Sequence, residues 1–181
     1  MAASPEQLYE QTLILRSQLG DEAAFRELLN LHGPRLWSFT QRMMQSAPAD
    51  AADLAQEIWV AIFRALPGLN DLTKFRPWAY RIARDRIYRE YRRRKLPMAS
   101  LAEGELEALP QEAPEESPAI AEELQQCLAL ISPEQREALV LRFYEEMSYE
   151  EIAGVTGASV GTIRSRIHYG KLSLRTAWKG K

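Results

Sequence analysis

The sequence predicts an all-α protein built as two small helical domains, and three observations predict it. Apolar residues recur at three- and four-residue spacing through most of the chain. Alternating β runs and Asn-Gly or Asp-Gly hairpin signals are absent. A stretch rich in proline and glutamate, Leu96 to Pro118, divides the periodic part in two. A chain of 181 residues, 27% charged and 46% hydrophobic, has room for one medium core or two small ones. The expected boundaries are residues 8–97 for the first domain, 98–118 for the linker and 119–178 for the second domain.

The first helix read from the sequence starts at Asp21, a side chain that accepts from the free amides of a first turn, and carries Ala24, Phe25, Leu28, Leu29 and Leu31. Pro34 is expected to interrupt or kink it, since proline lacks the amide donor and crowds the preceding turn. Leu36, Trp37, Phe39 and Met43 resume the apolar face, and Pro48-Ala49-Asp50 marks a break. A helix from Asp50 carries Leu54, Ile58, Ile62 and Leu66 and ends at Pro67-Gly68. A loop through Asn70 and Asp71 leads to a long helix from about Pro77 into an arginine run.

The linker holds four prolines and six glutamates and few bulky apolar groups, too little surface to offset its ordering entropy, with a short helix expected near Ser100–Leu109. Ala119–Ile131 reads as the next helix. Ser132-Pro133-Glu134-Gln135 then opens another, with a cap, a proline at the first helical position and glutamine at the capping-box position. Glu145-Glu146-Met147 reads as a turn.

The net charge of −2 hides an uneven distribution. Ten basic residues lie between Lys74 and Lys95 against only Asp85 and Glu90, and no acid follows Ser159. Between these blocks, Leu96 to Gln126 carries eight glutamates and no lysine or arginine. Two cationic modules separated by an acidic segment suit a protein that meets a polyanion twice. Cys127 stands alone and reads as a small core residue; His32 and His168 are far apart, so neither a metal nor any cofactor is expected. The longest apolar run, Ile58 to Phe63, falls far short of the roughly 20 residues of a membrane span. The first residues lack the basic start and apolar run of a signal peptide. The expected location is the cytoplasm.

The most specific pattern lies near the C-terminus. Ser148-Tyr149-Glu150-Glu151 is a capping box for a short helix facing inward with Ile152, Ala153 and Val155. Gly157 supplies the positive φ of a tight turn, and Ser159 caps a second helix whose inner face is Val160, Ile163 and Ile167. This is a helix-turn-helix. Its outer face carries Thr162, Arg164, Ser165, Arg166, His168 and Lys171, of which arginine can grip guanine edges and lysine or hydroxyls can hold phosphates. His168 reads equally as an exposed polar residue. Upstream, Phe75-Arg76-Pro77-Trp78-Ala79-Tyr80-Arg81-Ile82-Ala83-Arg84-Asp85-Arg86 interleaves aromatics with cations, the mixture that suits unpaired DNA. Trp78, Ile82 and Tyr80 have core packing as their competing role.

Three stretches together resemble the extracytoplasmic-function sigma factors of the sigma-70 family, which retain only the second and fourth conserved sigma regions. They are Asp53-Leu54-Ala55-Gln56-Glu57-Ile58-Trp59, Trp78 to Asp85, and Ser148 to Ala153 with Val160 to His168. The resemblance implies a region 2 bundle and a region 4 helix-turn-helix. It implies that Asp53, Gln56, Glu57 and Trp59 dock on the clamp helices of the largest subunit of core RNA polymerase, with the flap of the second largest as a further partner. It also implies that Lys74, Phe75, Arg76, Arg84, Asp85, Arg86 and Arg89 meet the −10 element as it melts. Ser159, Thr162, Arg164, Ser165, Arg166, His168 and Lys171 then read the −35 duplex. An anti-sigma factor is the implied inhibitor, and no membrane insertion is implied. Two positions depart from the family pattern: Asp85 replaces the usual asparagine, so that either the −10 preference is altered or the carboxylate pairs with a nearby arginine, and Gly170 replaces alanine, loosening the last helix by about 1 kcal/mol at most.

A stand-alone helix-turn-helix regulator is the alternative function, although its sensing domain would have no need of the arginine–aromatic block. A nuclease holding a metal between Asp53 and Glu57, four residues apart on one helix face, lacks a placed third ligand. The charge layout further predicts that the free chain binds promoters poorly, because the acidic linker holds the basic modules together or an inhibitor covers them.

Overall fold

In the computed structural model the described residues are 4–44, 48–94 and 118–179, and among them the chain is helical, without strands. The acidic linker and its expected short helix lie outside these residues, as does Lys95. The first unit holds α1 (Pro5–Gln18), α2 (Glu22–Met44), α3 (Pro48–Ala65) and α4 (Phe75–Arg94), with 3₁₀ turns at Leu66–Gly68 and Leu72–Lys74. The second holds α5 (Pro118–Ala129), α6 (Pro133–Phe143), α7 (Tyr149–Thr156) and α8 (Val160–Lys179).

The helix α1 was not legible as an apolar stripe, yet its start carries a clear signal. Ser4-Pro5-Glu6-Gln7 repeats the Ser132-Pro133-Glu134-Gln135 pattern, and Ser4 and Gln7 close a full reciprocal capping box. At the second copy only half forms: Ser132 Oγ accepts from the Gln135 amide at 3.3 Å, with no return contact. Gln18, at the end of α1, donates to the carbonyls of Leu66 and Leu69 at 2.9 and 2.8 Å and so fixes the loop before α4.

Pro34 does not interrupt α2, which runs through it from Glu22 to Met44. An interior proline costs about 3 kcal/mol. Leu28, Leu36, Phe39 and Met43 on either side are fully buried, each contributing about 1.5–3 kcal/mol, so packing outweighs the break. Leu31, counted on the apolar face, is instead half exposed. The long helix α4 begins at Phe75, two residues before the expected Pro77, and α5 ends at Ala129 rather than Ile131.

Buried residues of both units form one continuous apolar cluster, joined where α4 meets α7 and α2 meets α6. Arg136, only 3% exposed, ties the units together. Its guanidinium donates to the carbonyls of Leu128 at 2.7 Å and Ile131 at 3.2 Å, at and just past the end of α5, and to that of Met43 at 2.9 Å, at the end of α2. Gly170 of α8 is buried against α6. A Cβ there would sit 3.2 Å from Leu139 Cδ1 and 3.3 Å from Gln135 Cβ, so the missing methyl is what lets α8 lie close on α6.

Candidate nucleic-acid interface

The helix-turn-helix is built as its sequence grammar requires. Ser148 and Glu151 exchange reciprocal hydrogen bonds at 3.1 and 2.8 Å. Gly157 takes the left-handed conformation at φ 71°, and Ser159 Oγ accepts from the Thr162 amide at 3.1 Å to start α8. Ile152, Val155, Ile163 and Ile167 are buried, which turns Arg164, Ser165, His168 and Lys171 outward. Arg166 is half-buried. Ser159 and Thr162 are occupied with each other, their hydroxyls 2.8 Å apart, and serve the cap. Lys171 Nζ stands 4.6 Å over the Phe143 ring, within cation–π range.

Of the residues expected at the polymerase, Asp53 and Glu57 are exposed on α3 and Gln56 is half-buried. Trp59 is a correction: it is 4% exposed, its ring edge-on to Phe25 at 6.0 Å, because the position lies on the inner side of α3 with Ile58 and Ile62. It holds the core and offers no free indole face.

The arginine–aromatic helix divides by face. Phe75 is a second correction. By starting α4 it turns inward between His32 and Trp78, at ring distances of 5.1 and 5.9 Å, and is 1% exposed. Tyr80 is buried, whereas Trp78 and Ile82 are partly buried. Lys74 and Arg89 are exposed and Arg86 half-buried. Asp85 lies 3.5 Å from Arg84 and keeps a largely exposed side chain. A cleft of about 350 Å³ between α3 and α4 gathers Arg86 and Arg89 with Asp85 and with Arg64 of α3. The sequence reading missed Arg64, which only the α3–α4 crossing brings beside the other two.

The opposite face of α4 meets the second unit through two matching clamps. Arg84 Nε lies 2.9 Å from Glu137 Oε1, an ion-pair distance although the N–H is not aimed along it, and Tyr88 donates to Glu137 Oε2 at 3.2 Å. One level away, Arg76 donates to the Glu145 carbonyl and stands 3.7 Å from its carboxylate, which accepts from the Tyr80 hydroxyl. Both carboxylates are buried, Glu137 completely. Glu145 sits in the turn before α7, beside Glu146 with its positive φ of 54°. Neither glutamate was picked out in the sequence, because their partners lie 53 and 65 residues away.

Burial pushes the Glu137 carboxyl up to about 7, against the pull of Arg84, Tyr88 and Arg166. Glu145 is raised for the same reason, against Tyr80, Arg76, Arg35 and Arg42. Separation of the units would return both to the ordinary carboxylate range near 4.5. A group whose value is higher in the packed state takes up a proton on packing. The packing is therefore strongest below about pH 4.5 and weakens as pH rises through about 7, for Glu137 by on the order of 3 kcal/mol. Small-angle X-ray scattering is expected to give a larger radius of gyration at pH 8 than at pH 5.5; an equal or smaller one at pH 8 contradicts this.

A helical protein that joins a helix-turn-helix, with its cationic face outward, to a bundle with an arginine–aromatic helix has the make-up of a DNA-binding protein. Two family models match: sigma-70 region 2 over residues 28–96 and sigma-70 region 4 over residues 121–174. The ECF RNA polymerase sigma-E factor of Escherichia coli K12 is 33% identical over 174 residues, covering 90% of each chain. The ECF sigma factor SigF of Caulobacter vibrioides is 32% identical over 158 residues, 87% of each chain. SigE of Mycolicibacterium smegmatis is 34% identical over 165 residues, 86% of this chain, which spans 63% of that protein's length. In fold, CnrH, solved with the cytosolic domain of CnrY, superposes with a TM-score of 0.74 at 23% identity over 96% of this chain and 99% of that one. RpoE of Bartonella quintana, solved with the anti-sigma factor NepR, superposes with a TM-score of 0.69 at 24% identity, over 86% of this chain and 96% of that one. The chain belongs to the extracytoplasmic-function sigma factors of the sigma-70 family.

Proposed function

We propose that the chain is a dissociable specificity subunit of RNA polymerase, which mounts on the core enzyme and directs initiation at promoters with cognate −10 and −35 elements. The observation that carries this is the pairing of two different DNA surfaces on one chain. The outward face of α8, with Arg164, Ser165, His168 and Lys171, suits a major groove. The α4 surface, with Lys74, Arg76, Arg84, Asp85, Arg86 and Arg89, extended by Arg64, suits a melting strand. Residues 8–97 would supply the polymerase and −10 functions and residues 119–178 the −35 function, with 98–118 as tether. A stand-alone regulator is not favoured, since the family match covers region 2 as well as region 4.

Asp53, Gln56 and Glu57 offer an acidic face to a basic partner, the clamp helices of the largest subunit; the flap of the second largest subunit is the partner of the second unit. RpoE of Bartonella quintana, solved with the anti-sigma factor NepR, supports control by an anti-sigma factor. The chain acts without chemistry or cofactor of its own, in the cytoplasm; no helix among the described residues is long and apolar enough to cross a membrane. The test is co-elution with core RNA polymerase. The wild-type chain is expected to co-elute, and Asp53→Lys with Glu57→Lys to lower its affinity by about tenfold or more. Undiminished binding by that variant removes α3 from the polymerase contact, and no binding by the wild type overturns the function.

A further inference from the structure

We propose that the cleft between α3 and α4 is a reading site for an unpaired guanine of the promoter strand, with Asp85 as the residue that selects the base. This rests on the reading of α4 as the −10 surface and adds the letter that the surface prefers.

Three observations carry it. The first is the mixture of groups in one place. The cleft, of about 350 Å³, is lined by Asp85, Arg86 and Arg89 of α4 and Arg64 of α3, with Ile82 and two alanines of α3 as its apolar part. On α4, Ile82, Asp85, Arg86 and Arg89 stand at i, i+3, i+4 and i+7, so one helix face brings apolar surface, carboxylate and two guanidiniums together. Apolar surface with a few convergent polar groups is the usual make-up of a small-ligand site.

Second, the charged groups of the cleft are uncommitted. Arg64, Arg86 and Arg89 form no ion pair with any described residue, although a carboxylate shares the cleft with them. Asp85 lies 3.5 Å from Arg84, too far for a strong hydrogen bond, and its side chain is largely exposed. Arg84 itself is turned to the other side of α4, toward Glu137 at 2.9 Å.

Third, the chemistry of a carboxylate picks out one base. An ionised carboxylate only accepts hydrogen bonds. The Watson–Crick edge of guanine presents two neighbouring donors, N1–H and N2–H, which match its two oxygens as a bidentate pair. Adenine and cytosine set an accepting ring nitrogen beside their amino group, and thymine flanks its one donor with carbonyls, so each turns a lone pair on the second oxygen. Asparagine, usual at this position in the family, replaces that oxygen by a donor and loses the match to N1–H and N2–H. The far edge of guanine, O6 and N7, takes a guanidinium from the same cleft, and the remaining arginines hold the flanking phosphates against the repulsion of Asp85. In duplex DNA the N1–H is taken by cytosine. Asp85 therefore reads this base only once the strands part.

The experiment assembles the full chain with core polymerase and captures strands from a single-stranded DNA pool with about 12 randomised nucleotides. Sequencing of the captured strands is expected to show one position enriched in guanine. Asp85→Asn, which keeps the shape of the side chain, is expected to lower that enrichment by about fivefold or more, with neighbouring letters unchanged. On one captured sequence, inosine in place of that guanine lacks only the 2-amino group. It is expected to weaken binding by about tenfold for the wild type and by about twofold at most for Asp85→Asn. Guanosine monophosphate at the concentration of the strand is expected not to displace it; displacement makes the cleft a site for a free nucleotide and overturns the assignment to promoter DNA. No guanine position, or one indifferent to Asp85→Asn, also overturns the proposal. A motif selected without guanine leaves the −10 reading standing, whereas capture with no motif at all removes both.

Discussion

Replacing Arg136 with alanine is expected to destabilise the protein by about 3–5 kcal/mol, the largest effect of any single substitution considered for folding. The guanidinium is buried and donates to the carbonyls of Leu128, Ile131 and Met43, and weakly to the Tyr91 hydroxyl at 3.4 Å. The last carbonyls of a helix have no amide partner within it, and a cation there also meets the negative end of the helix dipole. Arg136 performs this service for α5 while reaching across to the end of α2. Removing it strips a charged donor from several buried oxygens, each worth about 1–3 kcal/mol, and leaves a cavity. Methionine restores the volume but no donor, so it should recover little; lysine carries a charge but lacks the planar fork and should recover part. Urea denaturation followed by helical circular dichroism measures this, and a loss below about 1 kcal/mol for the alanine variant would show that water replaces the guanidinium at little cost.

The largest expected effect on recognition belongs to the arginines of α8. Each of Arg164→Ala and Arg166→Ala is expected to reduce discrimination between cognate −35 duplex and random duplex by about 1–3 kcal/mol for a lost bidentate base contact, roughly five- to 150-fold. The two are not equivalent in the free chain. Arg164 is exposed, whereas Arg166 is half-buried and close enough to Glu137 to hold its carboxyl down. Glu137 lies on α6 of the same unit, so Arg166 keeps this acidic neighbour whether or not the units part. Binding measured on both duplexes at fixed salt separates the roles. Equal weakening on cognate and random DNA makes the residue a phosphate contact.

Which parts of this architecture were legible follows from where their causes lie. The helix-turn-helix is a local device: Ser148, Glu151, Gly157 and Ser159 set its caps and turn within a dozen residues, and Ile152, Ile163 and Ile167 mark its inner face. Such causes can be read along the chain. Arg136 and Glu137 are the opposite case. Adjacent charges in an α-helix read as solvated surface, and only the approach of Arg84, Tyr88 and the end of α2 makes their burial possible. Trp59 and Phe75 failed for a related reason. An aromatic in a functional stretch suits a core and an interface equally, and one turn of helix phase decides between them. Pro34 shows propensity yielding to packing on both sides. Gly170 shows a residue whose merit is the space it leaves for Leu139, on another helix.

The electrostatic picture changes accordingly. The charge layout suggested an acidic tether holding two cationic modules together. Among the described residues, the carboxylates at the contact belong to α6 and the turn after it, within the second unit itself, while the tether lies outside the described residues. The cationic helix α4 thus meets the DNA-reading unit across two buried glutamates whose ionisation opposes the contact.

Mapping of transcript 5′ ends from a fragmented genome, with core RNA polymerase alone and with core polymerase plus this chain, tests the central claim most directly. The account predicts a new set of start sites that appears only with the chain and shares two conserved motifs at a fixed spacing upstream. A polymerase that binds the chain and still initiates at the same positions as core alone would contradict it.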